Sequence, residues 1–170
     1  MDDGLQAVIG ILAFLISIAV MLFPFVLFFI YVFYQNQKRK QIRARTQNAF
    51  GHIIGTHRTF EVRYSSEPRF KNWFKIFPWE GTGLLVSANG VVTFVGENLN
   101  GTPLNLQFAP ANSTVIWMGK CPWPNGAVSW FNFESQGQKH YFTSETGAFV
   151  FGSDKSTKAA FEESQACFAS

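Results

Sequence analysis

The chain has 170 residues, of which 47% are hydrophobic and 15% are charged, with 14 Lys and Arg against 11 Asp and Glu. At that length we expect one domain with an appended segment, and not two full domains. The high hydrophobic content excludes an intrinsically disordered chain and a fibrous repeat. Hydrophobicity is unevenly distributed, because the N-terminal end is far more apolar than the rest.

The N-terminal segment predicts a helix that crosses a membrane. Residues 8–34 form an apolar run of 27 residues, broken only by one serine and one proline. About 20 helical residues cross a bilayer core of about 30 Å, so this run spans it with room to tilt. A buried core helix rarely contains so long a run, and a cleaved signal peptide has a basic flank where this chain has Asp2 and Asp3. We therefore expect an uncleaved anchor over residues 5–35.

The charges on either side of this anchor predict its orientation. Two aspartates precede it, and five basic residues directly follow it. Those five are Lys38, Arg39, Lys40, Arg43 and Arg45. The positive-inside rule then places the N-terminus outside and residues 36–170 in the cytoplasm. In that reducing compartment Cys121 and Cys167 are expected to be free thiols.

The predicted span has groups suited to packing and none suited to transport. It contains no His, Asp, Glu, Lys or Arg, so it offers no proton relay, ion site or usual haem ligand. Gly10, Ala13 and Ser17 recur at helical spacing and form a small-residue face, which lets another helix approach closely. We therefore expect other integral membrane proteins as partners. The alternative is a lone helix in lipid, which needs no such face.

Residues 36–55 form a basic connector, predicted to continue the helix as far as Gly51. Residues 36–75 hold ten Lys or Arg and two Glu, whereas residues 76–170 hold four Lys and seven acidic residues. Each basic residue beside an anionic leaflet contributes about 1 kcal/mol of attraction. We expect the basic residues to fix the topology and to lie near anionic headgroups. Nucleic acid is not an expected partner, because aromatic residues are not interleaved with the basic ones here.

An aromatic pattern follows the connector, between Pro68 and Pro78. Four residues lie at positions i, i+3, i+4 and i+7, namely Phe70, Trp73, Phe74 and Phe77. On a helix they form one stripe, typical of a helix that lies in a membrane interface or packs on a partner. The alternative is that the stripe packs on the domain's own core. Trp123, in a proline-rich loop, is a further candidate for partner binding, unless it folds back over the domain.

Residues 56–170 predict a β domain that ends in a helix over residues 154–168. Short alternating runs separated by turn residues predict its strands. These runs are residues 60–64, 82–87, 91–95, 104–108, 114–118, 128–133, 140–143 and 148–151. Asn89 and Gly90 give the strongest hairpin signal, because both positions of that turn need a positive φ.

Seven or so antiparallel strands followed by one helix resemble the pleckstrin-homology (PH) superfold, most closely the GRAM and bacterial PH-like families. The resemblance covers residues 56–168, through hairpins at 83–94 and 130–144 and the final helix. It implies an open antiparallel β-barrel or sandwich capped by the C-terminal helix; a lipocalin-like barrel or an unrelated sandwich is the alternative. Such families often bind phosphoinositides through basic residues around the first hairpin. That hairpin has none here, and related domains without them act as protein-docking modules.

The sequence contains no recognisable catalytic, nucleotide-binding or metal-binding motif. We expect no cofactor and no bound metal. Our first hypothesis is a non-catalytic, single-span accessory or assembly subunit of a larger membrane complex. The second is an anchored sensor of anionic lipid that uses basic residues of 38–45 and 69–75. The third is an enzyme with an unrecognised site.

Overall fold

The order of helices and strands confirms the predicted fold class. The computed structural model describes residues 3–54, 58–146 and 153–170. In chain order its elements are α1 (Asp3–Ile54), β1 (Arg58–Ser66), α2 (Glu67–Lys71), β2 (Gly81–Ala88), β3 (Val91–Asn98), β4 (Pro103–Phe108), β5 (Ser113–Lys120), β6 (Ser129–Ser135), β7 (Gln138–Ser144) and α3 (Ser153–Ala169). The chain is therefore mainly β after its long N-terminal helix. The strand predicted over residues 148–151 lies outside the described residues.

Helix α1 is long enough and apolar enough to cross a membrane, which makes it a candidate span. It continues through Pro24 without a break. The chain divides after Gln37 into two compact units, and the first contains the apolar part of α1. The second unit begins at Lys38, so the predicted connector forms one unit with the β domain.

The strands in the described part of the chain form one antiparallel sheet in the order β4-β3-β2-β1-β7-β6-β5. Central β1 pairs with β2 on one side and with β7 on the other, for example Val62 with Gly83 and Tyr64 with Phe142. The edge strands β4 and β5 follow each other in sequence. The sheet is thus a curled half-barrel, joined through β1 and β7 and open between β4 and β5.

Two tight hairpins follow from residues that adopt positive φ. Asn89 and Gly90 between β2 and β3 have φ of 49° and 74°, which confirms the predicted turn. Gln136 and Gly137 between β6 and β7 have φ of 52° and 76°. Both pairs have the sign of φ that type I′ turns require, and that turn type matches the twist of the strands it connects.

Strands β2 and β3 approach closely where Gly83 pairs with Gly96. A Cβ atom on Gly83 would lie 2.6 Å from the Gly96 Cα and 2.9 Å from Cε2 of Phe94. These distances are well inside van der Waals contact, so a larger residue does not fit without moving backbone. The two glycines therefore let the ring of Phe94 pack directly over the backbone where the sheet curls.

Helix α3 covers the inner face of the sheet, and its bounds agree closely with the prediction of residues 154–168. Its most buried residues are small: Thr157, Ala160, Ser164 and Cys167. The ring centroid of Phe161 lies 6.1 Å from that of Phe131, and Phe168 lies 5.8 Å from Phe133. Small side chains bring the helix close to the sheet, and the two phenylalanines extend the aromatic core onto it.

The outer face of the sheet has two coverings. Along β1 and β3 lies α1 from Lys38 onwards, where Nη2 of Arg45 is 3.1 Å from a carboxylate oxygen of Glu97. Over β6 and β7 lies a second core cluster, separate from the aromatic core beneath α3. Its residues are Phe70, Trp79, Cys121, Val128, Trp130 and Tyr141. Phe70 of α2 stacks on Tyr141 with ring centroids 3.9 Å apart. The loops that carry exposed aromatic residues emerge from this second core cluster.

Candidate binding surface and the arginine cluster

Three arginines converge on one buried carboxylate at the outer face of the sheet. Glu145 directly follows β7, and its Oε1 lies 2.7 Å from Nη2 of Arg63 on β1. Its Oε2 lies 3.1 Å from Nε of Arg39 and 3.2 Å from Nη1 of Arg43, both on α1. Arg43 also lies 2.8 Å from Glu61 through its Nε. We call Arg39, Arg43, Arg63 and Glu145 the arginine cluster.

Burial and pairing act in opposite directions on this cluster. Burial alone would raise the pKa of Glu145, but the charges of Arg63, Arg39 and Arg43 lower that pKa below its ordinary value. Burial lowers the pKa of Arg39 to about 10, against the attraction of Glu145. Glu145 and Arg39 are therefore both charged at neutral pH. The cluster joins the connector helix to the sheet by ion pairs that solvent screens weakly.

Trp79 connects the arginine cluster to the second core cluster. The guanidinium carbon of Arg63 lies 4.1 Å from the centroid of the Trp79 ring, and that of Arg39 lies 5.6 Å away. Both distances allow a cation–π interaction. The ring of Phe77 stacks on the same indole at 5.4 Å. Trp79 thus fixes one end of the loop that leads from α2 to β2.

The five basic residues predicted to face headgroups lie in different environments. Arg39 and Arg43 are buried in the arginine cluster, so the prediction does not hold for them. Their carboxylate partner is distant in sequence, and nothing in the connector itself indicates it. Lys40 is exposed, Lys38 is half-buried, and exposed Arg45 pairs with a glutamate of β3.

A break in the helix divides the predicted aromatic stripe. Helix α2 ends at Lys71, and the chain has irregular structure from there to β2. Phe70 is buried and Phe77 is half-buried, whereas Trp73 and Phe74 are exposed. The prediction of one helical stripe is therefore wrong. Two of its residues pack inward, as one alternative expects, and two face solvent.

Four large apolar side chains stay exposed on two loops. Trp73, Phe74 and Ile76, in residues 72–80 between α2 and β2, are 64%, 91% and 62% exposed. Trp123, in residues 121–128 between β5 and β6, is 68% exposed, so it does not fold back over the domain. We call these four residues the aromatic loop surface. Each one leaves in water a side chain whose full burial would contribute about 1.5–3 kcal/mol.

Buried Lys75 joins the two loops. Its Nζ donates hydrogen bonds to the carbonyl oxygens of Arg69 at 3.0 Å and Phe70 at 2.5 Å, and to Oδ1 of Asn125 at 2.5 Å. These acceptors match the three donors of an ammonium group. Burial lowers the pKa of Lys75, and the nearby charge of Arg69 adds to that effect. One ammonium group thus binds the end of α2 to residues 121–128.

Further hydrogen bonds fix the backbone beside the exposed residues. The backbone N–H of Phe74 donates to Oδ1 of Asn72 at 2.8 Å, a local turn that directs the chain away from the helix. Nη2 of Arg69 donates to the Phe77 carbonyl oxygen at 3.0 Å. Nε1 of Trp130 donates to the Asn125 carbonyl oxygen at 3.0 Å. The aromatic loop surface is therefore displayed on loops that are held in place from below.

The one acidic residue of the two loops is Glu80, which ends the first loop and accepts a hydrogen bond from the Ser66 backbone N–H at 2.9 Å. Residues 68–79 contain Arg69, Lys71 and Lys75 and no acidic residue, and residues 114–133 contain Lys120 and no acidic residue. The two exposed lysines pair with carboxylates outside these segments. The surroundings of the aromatic loop surface are thus neutral to basic.

The other titratable groups in the described residues are held by neighbouring structure. Nδ1 of His140 lies 3.1 Å from the hydroxyl oxygen of Tyr64. Burial lowers the pKa of His140 and raises the pKa of Tyr64 to about 12. Cys121 and Cys167 are free and buried. Among residues 3–54, 58–146 and 153–170, no group of three or more His, Cys, Asp or Glu side chains is placed to hold a metal ion.

The small-residue face of α1 is exposed at all three of its predicted positions, Gly10, Ala13 and Ser17. The Ser17 hydroxyl donates to the Ala13 carbonyl oxygen at 2.8 Å, so its hydrogen bond is made within the helix. A Cβ atom on Gly10 would have no neighbour within 4 Å. The face is thus open to a second helix at its glycine.

Sequence reasoning missed Arg63, Ile76 and Glu145, and it assigned Lys75 to a segment expected to sense anionic lipid. Ile76 has a local signal, since it is an apolar residue that does not fit the proposed stripe, in a short segment bounded by prolines. Lys75 and Glu145 have no local signal. Their partners lie far away in sequence, as in the pair of Lys75 with Asn125.

Comparison with known proteins adds no family to this description. The chain matches no protein-family model, and it has no significant match among curated proteins or solved structures. The geometry of the arginine cluster and of the aromatic loop surface therefore carries the functional argument.

Proposed function

We propose that this chain is a non-catalytic, single-span membrane protein that serves as an accessory or assembly subunit of a larger membrane complex. One observation carries the proposal. The β domain uses its buried charges in structural contacts, and it leaves four large apolar loop residues exposed. That distribution is better suited to binding than to catalysis. A catalysed reaction needs a polar group within reach of the substrate, whereas these buried charges are engaged in structural contacts.

The buried charges support the non-catalytic part of the proposal. Glu145 accepts hydrogen bonds from Arg39 and Arg63 and forms an ion pair with Arg43, and Lys75 donates to three neutral acceptors. A general base must have a free lone pair within hydrogen-bond reach of the substrate proton. Glu145 is directed at guanidinium groups, and Lys75 has its donors occupied.

The apolar part of α1 supports the single-span part of the proposal. The basic residues after it and the aspartates before it favour an outside N-terminus and a cytoplasmic β domain. Gly10, Ala13 and Ser17 give this helix a face on which another membrane helix can pack closely. Integral membrane proteins are therefore the proposed partners.

The proposed role of the β domain is that of a PH-like docking module. Its seven strands and final helix are what the resemblance to PH-like families implies. Asn89 and Gly90 form the turn of the hairpin that would bind phosphoinositides in such families, and that hairpin carries no basic residue. The alternative of lipid sensing through the connector is less well supported, since Arg39 and Arg43 are buried.

Co-purification tests the proposal. The full chain is extracted from its native membranes in mild detergent, cross-linked, and analysed by mass spectrometry together with the proteins that accompany it. We expect Ala13→Ile to reduce recovery of partner proteins, because it fills the small-residue face. The matched control Ala19→Ile, on the opposite side of the helix, is expected to retain them. A monomer without cross-linked partners would contradict the proposal.

Protease protection tests the proposed orientation. Protease added to intact cells is expected to leave the C-terminal domain whole, and to remove it only after the cells are opened. Removal of the domain from intact cells would show that the topology is inverted and that the proposed cytoplasmic partners are wrong.

A further inference from the structure

The aromatic loop surface differs from a single exposed hydrophobic residue in two ways. It contains four large apolar side chains, and the loops that carry them are held by hydrogen bonds. It gathers two tryptophans, one phenylalanine and one isoleucine on two loops that meet at Lys75. Phe74, at 91% exposed, has almost no contact with its own domain. Grouped apolar side chains of this kind mark a site of interaction.

Two observations indicate the chemistry of the partner. Tryptophan and other aromatic residues concentrate at the level of lipid headgroups, where an apolar ring with a polar edge is well solvated. Residues 68–79 and 114–133 contain no Asp or Glu, and the exposed Lys71 and Lys120 pair with Glu67 and Asp154, so the surroundings of the aromatic loop surface are close to neutral. The surface thus suits a lipid membrane, in which an apolar layer lies beneath neutral or anionic headgroups.

We infer that the aromatic loop surface inserts into the headgroup region of a lipid bilayer and orients the β domain against it. The inference rests on the anchoring part of the proposed function and does not require a protein partner. It also differs from sensing by the connector arginines, because apolar side chains supply the attraction. Binding should therefore persist at high salt, which screens exposed charges.

The chain offers a direct probe of this contact. All five tryptophans lie after residue 72, so none lies in the predicted span. Trp79 and Trp130 are buried and Trp117 is half-buried, whereas Trp73 and Trp123 are exposed. Lipids with brominated acyl chains quench tryptophan fluorescence on close contact. Quenching by such lipids therefore reports on the exposed pair.

The experiment uses the purified full chain in vesicles of phosphatidylcholine and phosphatidylglycerol, with and without brominated chains. We expect strong quenching that persists at high salt and that is mostly lost in the double variant Trp73→Phe, Trp123→Phe. The matched control Trp117→Phe should keep it. Phe74→Asp with Ile76→Asp should weaken quenching while both tryptophans remain, and Ile116→Asp, an exposed apolar residue on β5, should not.

Each contrary result has a distinct meaning. Equal fluorescence with and without bromine would overturn the inference and leave the proposed function standing. Quenching that is unchanged in the Trp73 and Trp123 double variant would place the lipid contact elsewhere and overturn it too. If the tryptophans were shielded from the brominated lipid only at a high protein-to-lipid ratio, the surface would bind a second copy of the chain, and the inference would be overturned. Release of the chain from vesicles by alkaline carbonate would overturn the anchor and the inference together.

Discussion

In the arginine cluster four charged side chains are buried, whereas in the aromatic loop surface four large apolar side chains are exposed. The buried charges bind one another across three elements of the fold, namely α1, β1 and the end of β7. The exposed apolar side chains face mostly solvent, although the loops beneath them are fixed. The difference indicates that the first region holds the domain together and that the second is available to a partner.

The energetic consequences of substitution should separate the two regions. Removing one member of a buried ion cluster takes a charged partner from the others in a medium of low polarity. Removing an exposed side chain changes little within the domain. Measured stability and measured binding should therefore respond to different residues.

The largest effect is expected for Glu145→Gln. The substitution removes the charged carboxylate that three arginines share, although Arg43 keeps its pair with Glu61, and it should lower the free energy of unfolding by about 3–5 kcal/mol. Denaturant titration of the full chain in mild detergent measures this change. The matched control Glu134→Gln removes a half-exposed partner of Lys139 and should cost less than about 1 kcal/mol. Equal effects of the two substitutions would show that the cluster is not structural.

Acid should remove from the wild-type chain the stabilisation that the Glu145 carboxylate provides. The pKa of Glu145 in the folded state lies below its ordinary value of 4.5, so its stabilising effect is fully present above that pH. The effect is lost as the pH falls through the lowered folded pKa. The stability difference between wild type and Glu145→Gln should therefore shrink below about pH 4.5. A difference that stays constant down to strong acid would contradict the assignment.

An intermediate effect is expected for Lys75→Met. It leaves Oδ1 of Asn125 and two carbonyl oxygens at the end of α2 without their donor, which should cost about 1–3 kcal/mol. It should also make the two loops more susceptible to limited proteolysis. The control Lys71→Met removes an exposed lysine and should leave the melting temperature and the cleavage pattern unchanged. Unaltered cleavage in Lys75→Met would show that the ammonium group does not hold the loops.

The smallest effect on stability is expected for Phe74→Ser. Since its ring is almost fully exposed, the free energy of unfolding should change by less than about 0.5 kcal/mol. The same substitution at buried Phe70 should cost about 3–5 kcal/mol, because it removes the ring that stacks on Tyr141. Thermal unfolding of both variants measures the contrast. A large loss of stability in Phe74→Ser would show that this residue packs within the domain.

Much of the fold could be predicted because its signals are local. The turn at Asn89 and Gly90 follows from the few residues that accept a positive φ, and it fixes the register of β2 and β3. Alternation of apolar residues predicts seven strands of the sheet. Thr157 and Ser164 are seven residues apart, so they lie on the same side of α3, and both are buried.

The candidate sites were harder to predict because their contacts are distant in sequence. Arg39 donates a hydrogen bond to Glu145, which is 106 residues away. Because that partner is not visible in the local sequence, the neighbouring basic residues predicted a lipid-facing segment instead. The spacing of Phe70, Trp73 and Phe74 fits a helix, but a hydrogen bond from the Phe74 N–H to an Asn side chain competes with helix formation there. The helical spacing of apolar residues carries no information about that competing hydrogen bond.

The facing pair Gly83 and Gly96 has a consequence for how this chain can vary. Their Cα atoms approach so closely that neither position has room for even a methyl group, although the strands around them are otherwise ordinary. A saturation mutagenesis screen for correctly folded protein should find intolerance concentrated at these two codons. Such a pattern would identify the close approach of β2 and β3 from sequence variation alone.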